Sequence, residues 1–176
     1  FKNGTAIKAA VSGFVTKFES PNFTKTPEIQ ITINCDDPML RAVEEVNIPV
    51  VGLDTSSTSI IDTESTAPHG FRFGVKFDNS VVDFSIQDAV DPTWAFEVNL
   101  TGSSFGQFLP DDELHFSSEI NNKYLCLIRG LNVYHLVDKI IPTSVWPILF
   151  PGVNPFICSE FVDWDHITHY PTYWGV

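Results

Sequence analysis

The chain of 176 residues is long enough for one packed domain, or one plus part of another, and 43% hydrophobic against 18% charged residues excludes a disordered class. Ten basic residues against 22 acidic ones give a formal net charge of −12 with no basic run, which excludes nucleic acid and anionic membrane surfaces as natural partners. No apolar run approaches the roughly 20 residues that span a bilayer, and 15 Phe, 12 Pro and 10 Gly spread along the chain favour an all-β architecture with many turns.

The first residue is Phe rather than Met, so the sequence reads as a processed chain or a piece of a longer protein. Ile7 to Phe18 alternates loosely, with Val11, Gly13 and Val15 on one parity and Phe14, Thr16 and Phe18 on the other. It reads as a strand with a bulge at Gly13. Ser20-Pro21-Asn22 is a turn. Glu28 to Cys35 is the cleanest strand of the chain: Ile29, Ile31, Ile33 and Cys35 face one way, Gln30, Thr32 and Asn34 the other. Together the two form a hairpin-like antiparallel pair. After Asp36-Asp37-Pro38, residues 38–50 read as a joint. It is either a short helix with Met39, Leu40, Val43 and Val46 on one face, stopped by Pro49, or an extended linker. A Ser/Thr-rich turn, Thr55 to Ser59, follows.

From about residue 51 strands come at short intervals: Ser59–Asp62, Gly70–Phe77, Val81–Ile86, Trp94–Leu100, Glu113–Ser117, Tyr124–Arg129, Val133–Asp138, Phe156–Glu160 and Val162–His169. Turn chemistry separates them at Pro68-His69-Gly70, Asp78-Asn79, Asp91-Pro92, Pro110-Asp111-Asp112, Asn121-Asn122, Gly130 and Pro142. Phe71, Phe73, Val75 and Phe77 alternate with Arg72, Gly74 and Lys76, the pattern of a half-buried strand. Such punctuation predicts a β-sandwich or barrel, and the antiparallel β-sandwich is the expected form. The stretch Trp146 to Phe156 cannot run on as a helix, because Pro147, Pro151 and Pro155 each remove a donor and fix φ. Pro151-Gly152 is a turn, with Gly152 free to take positive φ. The expected result is a buried apolar corner that closes the sandwich, with Trp146, Leu149 and Phe156 anchored in the core.

Cys35, Cys126 and Cys158 are odd in number, widely spaced and without a C-x-x-C pair, so buried free thiols are expected, as suits a reducing compartment. One disulfide with one free thiol is the alternative. Gly102-Ser103-Ser104-Phe105-Gly106 matches the G-x-S-x-G pattern of hydrolase nucleophiles, but Pro110 leaves no room for the helix that must follow; the stretch reads as a loop. Asp163, Asp165, His166 and His169 cluster with ligand-type side chains, yet on a strand His166 and His169 face opposite ways. They read as polar residues on the exposed face of a terminal strand, and neither a metal site nor a cofactor is expected. The acidic pairs Asp36/Asp37, Glu44/Glu45 and Asp111/Asp112/Glu113 read as solvated turns. Sequons stand at Asn3, Asn22 and Asn99; this composition yields one or two by chance, and three are not evidence of secretion. Among Trp94, Trp146, Trp164, Trp174, Tyr170 and Tyr173, most aromatics should be core, and Trp164 and Trp174 are the candidates for stacking on a sugar.

Two stretches together carry a resemblance. Gly13-Phe14-Val15-Thr16, then Pro27-Glu28-Ile29-Gln30-Ile31-Thr32-Ile33-Asn34-Cys35-Asp36-Asp37-Pro38, resembles the closing strands of the first domain in distal tail proteins of long-tailed bacteriophages. Trp146-Pro147-Ile148-Leu149-Phe150-Pro151-Gly152-Val153-Asn154, then Tyr170-Pro171-Thr172-Tyr173-Trp174-Gly175, is similar to the end of their second domain. The middle of the chain matches only in strand rhythm, and most of the family's ring-forming first domain would lie outside this sequence. The resemblance implies residues 1–41 as closing strands of an N-terminal β-domain, 42–50 as a linker and 51–176 as a galectin-like sandwich. It further implies a non-catalytic virion protein that self-assembles as a ring, a hexamer, between tail tube and baseplate or fibre hub. The rival functions are a carbohydrate-binding module that contacts a host glycan, and a β-sandwich hydrolase using Ser104 or the 163–169 cluster.

Overall fold

Alternation of phenylalanine with small or polar residues through the middle of the chain produces strands with one apolar face, and these strands close over one another in two layers. The computed structural model describes residues 2–3, 6–7, 9–11, 13–19, 30–35, 39–48, 50–54, 57–62, 64–91, 95–158 and 162–174. In chain order the strands are β1 (Lys2–Asn3), β2 (Ala6–Ile7), β3 (Ala9–Ala10), β4 (Phe14–Glu19), β5 (Gln30–Asn34), β6 (Met39–Ala42), β7 (Val46–Asn47), β8 (Val50–Asp54) and β9 (Ser57–Asp62). They continue as β10 (Arg72–Phe77), β11 (Asp83–Asp88), β12 (Ala95–Asn99), β13 (Glu113–Ser117), β14 (Tyr124–Arg129), β15 (Asn132–His135), β16 (Gly152–Cys158), β17 (Val162–His169) and β18 (Thr172–Trp174). Among the described residues one 3-10 turn spans Val137–Lys139. No helix among the described residues is long and apolar enough to cross a membrane.

One sheet has the order β15-β14-β13-β10-β17-β7, the other β12-β11-β16-β9-β8. All their pairings are antiparallel. The architecture is therefore an all-β sandwich. Its core is a phenylalanine layer drawn from both sheets. Phe73 of β10 lies 6.2 Å from Phe84 of β11, Phe96 of β12 meets Phe116 of β13 edge-on at 4.7 Å, and Phe71 stacks on Phe156 of β16 at 5.9 Å. Tilted and edge-on rings interlock better than parallel sandwiches and fill the space between layers. A register shift opposite Gly74 and Val75 inserts Asp165 as an extra residue of β17. The bulge allows Trp164 and Ile167, three apart in sequence, both to face the core.

Three smaller sheets complete the chain: β1-β2, the hairpin pair β4-β5, and β18-β6-β3. Residues 39–47 hold two short strands, β6 and β7, joined by a bend at Val43-Glu44, and no helix. The reason is pairing: β6 lies between β3 and β18, and β7 extends the six-stranded sheet alongside β17. Ladder bonds to flanking strands outweigh the weak helix signal of so short a segment.

Other expectations change. The bulge in β4 falls between Val15 and Lys17, not at Gly13. Gly13 instead sits where an added Cβ would collide with the Asn34 carbonyl oxygen, so only glycine fits the close approach of the two strands. The alternating β5 is not half-buried. Ile31 and Ile33 are exposed, as are Phe14, Val15 and Phe18 on β4, because no second layer among the described residues covers this hairpin. Cys35 is exposed for the same reason, whereas Cys126 is half-buried and Cys158 buried; all three are free. Asp112 is not solvated: it is buried, and the Arg129 guanidinium clamps it through Nε to Oδ1 at 2.9 Å and Nη2 to Oδ2 at 2.6 Å. Strand Val162–His169 is not terminal in its sheet but lies between β10 and β7. Of the Ser/Thr-rich turn expected at Thr55 to Ser59, residues 57–59 are instead the start of β9, paired with β8. Its residues 55–56, the expected turn at 20–22, the stretch 36–38, Pro92 of the Asp91-Pro92 turn, the residues Ile29, Trp94 and Gly175, and the sequons at Asn3 and Asn22 fall wholly or partly outside the described residues.

Phe116→Ala empties a ring site that touches Phe73, Phe96 and Trp146. It should lower stability by ~3–5 kcal/mol, while Leu131→Ala, at a fully exposed turn, should change it by less than ~0.5 kcal/mol; urea denaturation measures both. Burial pushes the thiol pKa of Cys158 well up, and that of Cys126 up as well. A chromogenic disulfide reagent added to the native protein should therefore titrate Cys35 first, Cys126 slowly and Cys158 only on unfolding.

Candidate functional site

The corner at residues 146–156 and a buried polar cluster beneath it form one unit. Gly152 opens β16 at φ +96°, a conformation that side chains rarely adopt, and pairs with Asp62 at the end of β9. Two residues on, Asn154 is buried and ties the turn to itself. The Phe150 N–H donates to its Oδ1 at 2.7 Å, and its Nδ2 donates to the carbonyls of Phe150 at 2.8 Å and Gly152 at 3.1 Å. Leu149 and Phe156 are fully buried in the core, and Trp146 is half-buried between Phe96 and Phe116, each at 5.1 Å, with Lys123 over its ring. Pro151, Ile148, Phe150 and Val153 are exposed. The corner is thus anchored by alternate residues and is not buried throughout, because the turn at Gly152 faces each successive side chain to opposite sides.

Leu149 also makes a two-bond bridge to His69: the His69 N–H donates to the Leu149 carbonyl at 3.0 Å, and the Leu149 N–H to that of His69 at 2.8 Å. The bridge holds the His69 ring over the end of β17. There His69 Nε2 lies 2.6 Å from His169 Nδ1, with the rings stacked at 4.7 Å. Asp62 completes the group, with Oδ2 3.5 Å from His69 Nε2 and Oδ1 3.8 Å from His169 Nε2. All three residues are buried, and their ligand-type atoms lie within 4.8 Å of one another. The backbone N–H groups of Glu64 and Ser65 donate to Asp62 Oδ1, while Oδ2 has no hydrogen-bond partner among the described residues. Burial pushes the His169 imidazole down to about 4, against the opposing pull of Asp62, and holds His69 below its ordinary value despite its bond to the Ala67 carbonyl.

Around this cluster three sheets meet. The Thr172 carbonyl of β18 accepts from Thr66 and Ala67, and the Thr172 N–H donates to Ser65 Oγ. Arg41 of β6 lies 4.2 Å over the Tyr170 ring and pairs with buried Glu119 at 3.0 Å; Arg72 pairs with Glu119 and with Glu45. A hydrogen bond from Thr168, with Arg72 close by, keeps the Glu45 carboxyl below the usual carboxylate range. A cleft of about 60 Å3, lined in part by Arg41, His69, Glu119 and Tyr170, opens beside the histidine pair.

The remaining sequence candidates lie apart. Ser104 is exposed in a turn flanked by Gly102 and Gly106, both at φ +72°, with no following helix and no hydrogen bond to a histidine among the described residues. Of the 163–169 residues, Asp163 and Asp165 are exposed and His166 lies on the outer face, 5.1 Å from His115, while His169 points inward to the cluster. Trp164 is half-buried, edge-on to Phe73 at 5.1 Å, and Trp174 on β18 is 56% exposed. Asp62 and His69 carried no sequence signal: one ends a strand, the other sits in a Pro-His-Gly turn, and only the pairing of β16 with β9 brings them together.

No family model and no curated protein matches the chain. Its fold is shared with the crystal structure of SPP1 Dit (gp 19.1) protein, described as a paradigm of hub adsorption apparatus in Gram-positive infecting phages, at a TM-score of 0.69 and 14% sequence identity. The match covers 96% of this chain and 62% of that one, so the present chain spans somewhat less than two thirds of the length of the protein it is similar to.

Asn154→Ala removes three bonds to the turn backbone. It should cost about 2–4 kcal/mol by leaving part-buried backbone groups unpaired, read as a lower urea midpoint with an unchanged far-ultraviolet spectrum.

Proposed function

We propose that this chain is a non-catalytic structural component of a bacteriophage tail tip, joining the tail tube to the baseplate or fibre hub. The observation that carries the reading is a likeness to a phage hub protein that runs over 96% of the chain. The residue patterns at both ends of the sequence point independently to the same family. On this reading residues 1–41 are closing strands of a first β-domain, 42–50 the connection and 51–176 the galectin-like sandwich. The protein acts in the virion as a ring of identical subunits, a hexamer, assembled in the host cytoplasm.

The hairpin pair gives self-association a physical basis. Phe14, Val15, Phe18, Ile31 and Ile33 are 53–69% exposed, and Phe18 pairs across the strands with Ile31, Val15 with Ile33. Apolar surface gathered in this way is covered by a neighbour in assembled proteins. The net charge of −12 keeps an unassembled subunit soluble.

Electron microscopy and mass measurement on the full-length protein should show a closed ring. The double substitution Phe18→Glu/Ile31→Glu should shift it toward monomer while leaving the near-ultraviolet signal of the sandwich core intact. A full-length wild type that stays monomeric at high concentration would count against the tail reading.

A further inference from the structure

We propose that Asp62, His69 and His169 form a buried binding site for one divalent transition-metal ion of the zinc type. The inference does not depend on the tail reading. It rests on where protons and lone pairs must lie. The Ala67 carbonyl, 3.0 Å from His69 Nδ1, can only accept, so that nitrogen carries the proton and Nε2 of the neutral ring is bare. Nε2 then accepts from His169 Nδ1–H at 2.6 Å, and the other bare nitrogen of the pair, His169 Nε2, faces Asp62 Oδ1 at 3.8 Å. Asp62 Oδ2, on a fully buried side chain, faces the bare His69 Nε2 at 3.5 Å with no donor between them. Apart from that one shared proton, the lone pairs of Asp62 Oδ2 and His169 Nε2 meet no donor among the described residues, an arrangement that is costly unless a cation fills it.

The surroundings are those of a ligand set. His69 is oriented by a backbone carbonyl on its far nitrogen, and Asp62 by two backbone N–H groups on its far oxygen, leaving one nitrogen and one oxygen free to coordinate. Metal–ligand bonds of about 2.0–2.1 Å set ligand-to-ligand edges of roughly 3.3 Å in a tetrahedral site. The 3.5 Å edge between His69 Nε2 and Asp62 Oδ2 already matches. The 2.6 Å contact between the rings must open by about 0.7 Å to reach that edge, the His169 proton moving from Nδ1 to Nε2, where it faces Asp62 Oδ1. Two imidazoles and a carboxylate suit zinc, cobalt or iron over calcium or magnesium. Water entering by the cleft beside His69 supplies the fourth position. Bound there, the ion would tie β9 of one sheet to β17 of the other and to the 64–70 connection that holds β18.

The test uses untagged full-length protein. Elemental analysis should find about one zinc per chain. After EDTA treatment, stoichiometric Zn2+ should raise Tm by several degrees, and Co2+ should give the visible absorption of a four-coordinate site. Asp62→Asn places an amide donor opposite the bare His69 nitrogen, so it should fold without metal yet bind Zn2+ at least tenfold more weakly. His115→Gln/His166→Gln, at the exposed histidine pair, should keep the wild-type response. A wild type with no metal and equal Tm in EDTA and Zn2+ would overturn the proposal, whether or not the Asp62 variant folds. So would a Zn2+ response that survives in D62N and is lost in the His115/His166 variant.

Discussion

Phenylalanine rings from two antiparallel sheets must interlock in one layer, and the rest of the structure follows from that requirement. Phe73 and Phe77 of β10 contact Phe84 of β11, Phe116 of β13 contacts Phe96 of β12, and Phe71 lies on Phe156 of β16. Rings of this size fix both the spacing of the sheets and the register of each strand, since a one-residue slip would turn every ring to solvent. The Asp165 bulge is the local adjustment that keeps Trp164 and Ile167 on the inner side of β17 where strict alternation would have placed one of them outside.

A layer so apolar leaves polar groups to be satisfied at its ends, and the two ends do so differently. At one, Arg129 meets Asp112 through several short bonds, and the same carboxylate accepts from the Leu109 N–H. At the other, Asn154 satisfies the turn at Gly152, His69 bridges Leu149, and Glu119 is held between Arg41 and Arg72. This second end is where β18 and β6 join the sandwich, so the corner, the buried histidines and the small third sheet depend on one another mechanically. Met39–Ala42 and Val46–Asn47 are strands and not a helix for the same reason: they supply partners to strands that arrive from the far end of the chain.

The apolar hairpin β4-β5 stands in contrast to that packed interior. β5 alternates as cleanly as any strand in the chain, but the apolar residues of both strands reach solvent. On the proposed tail-tip reading, such surface is what a neighbouring subunit would cover.

The strand rhythm, the all-β class, the turn at Pro151-Gly152 and the core role of Leu149 and Phe156 were legible in the residues themselves, because period-two alternation and proline or glycine punctuation are local properties. So was the opposite facing of His166 and His169. Burial was not. Ile31, Ile33 and Cys35 share the pattern of a buried strand and are exposed, while Asp112, Asp62 and His69 share the pattern of solvated turns and are buried. Alternation states that two faces differ; only the packing of distant strands decides whether anything covers either one. The His69–His169–Asp62 cluster joins residues about one hundred apart through the pairing of β16 with β9 and the inward turn of β17. No spacing in the sequence encodes that meeting, and the tertiary structure alone creates it.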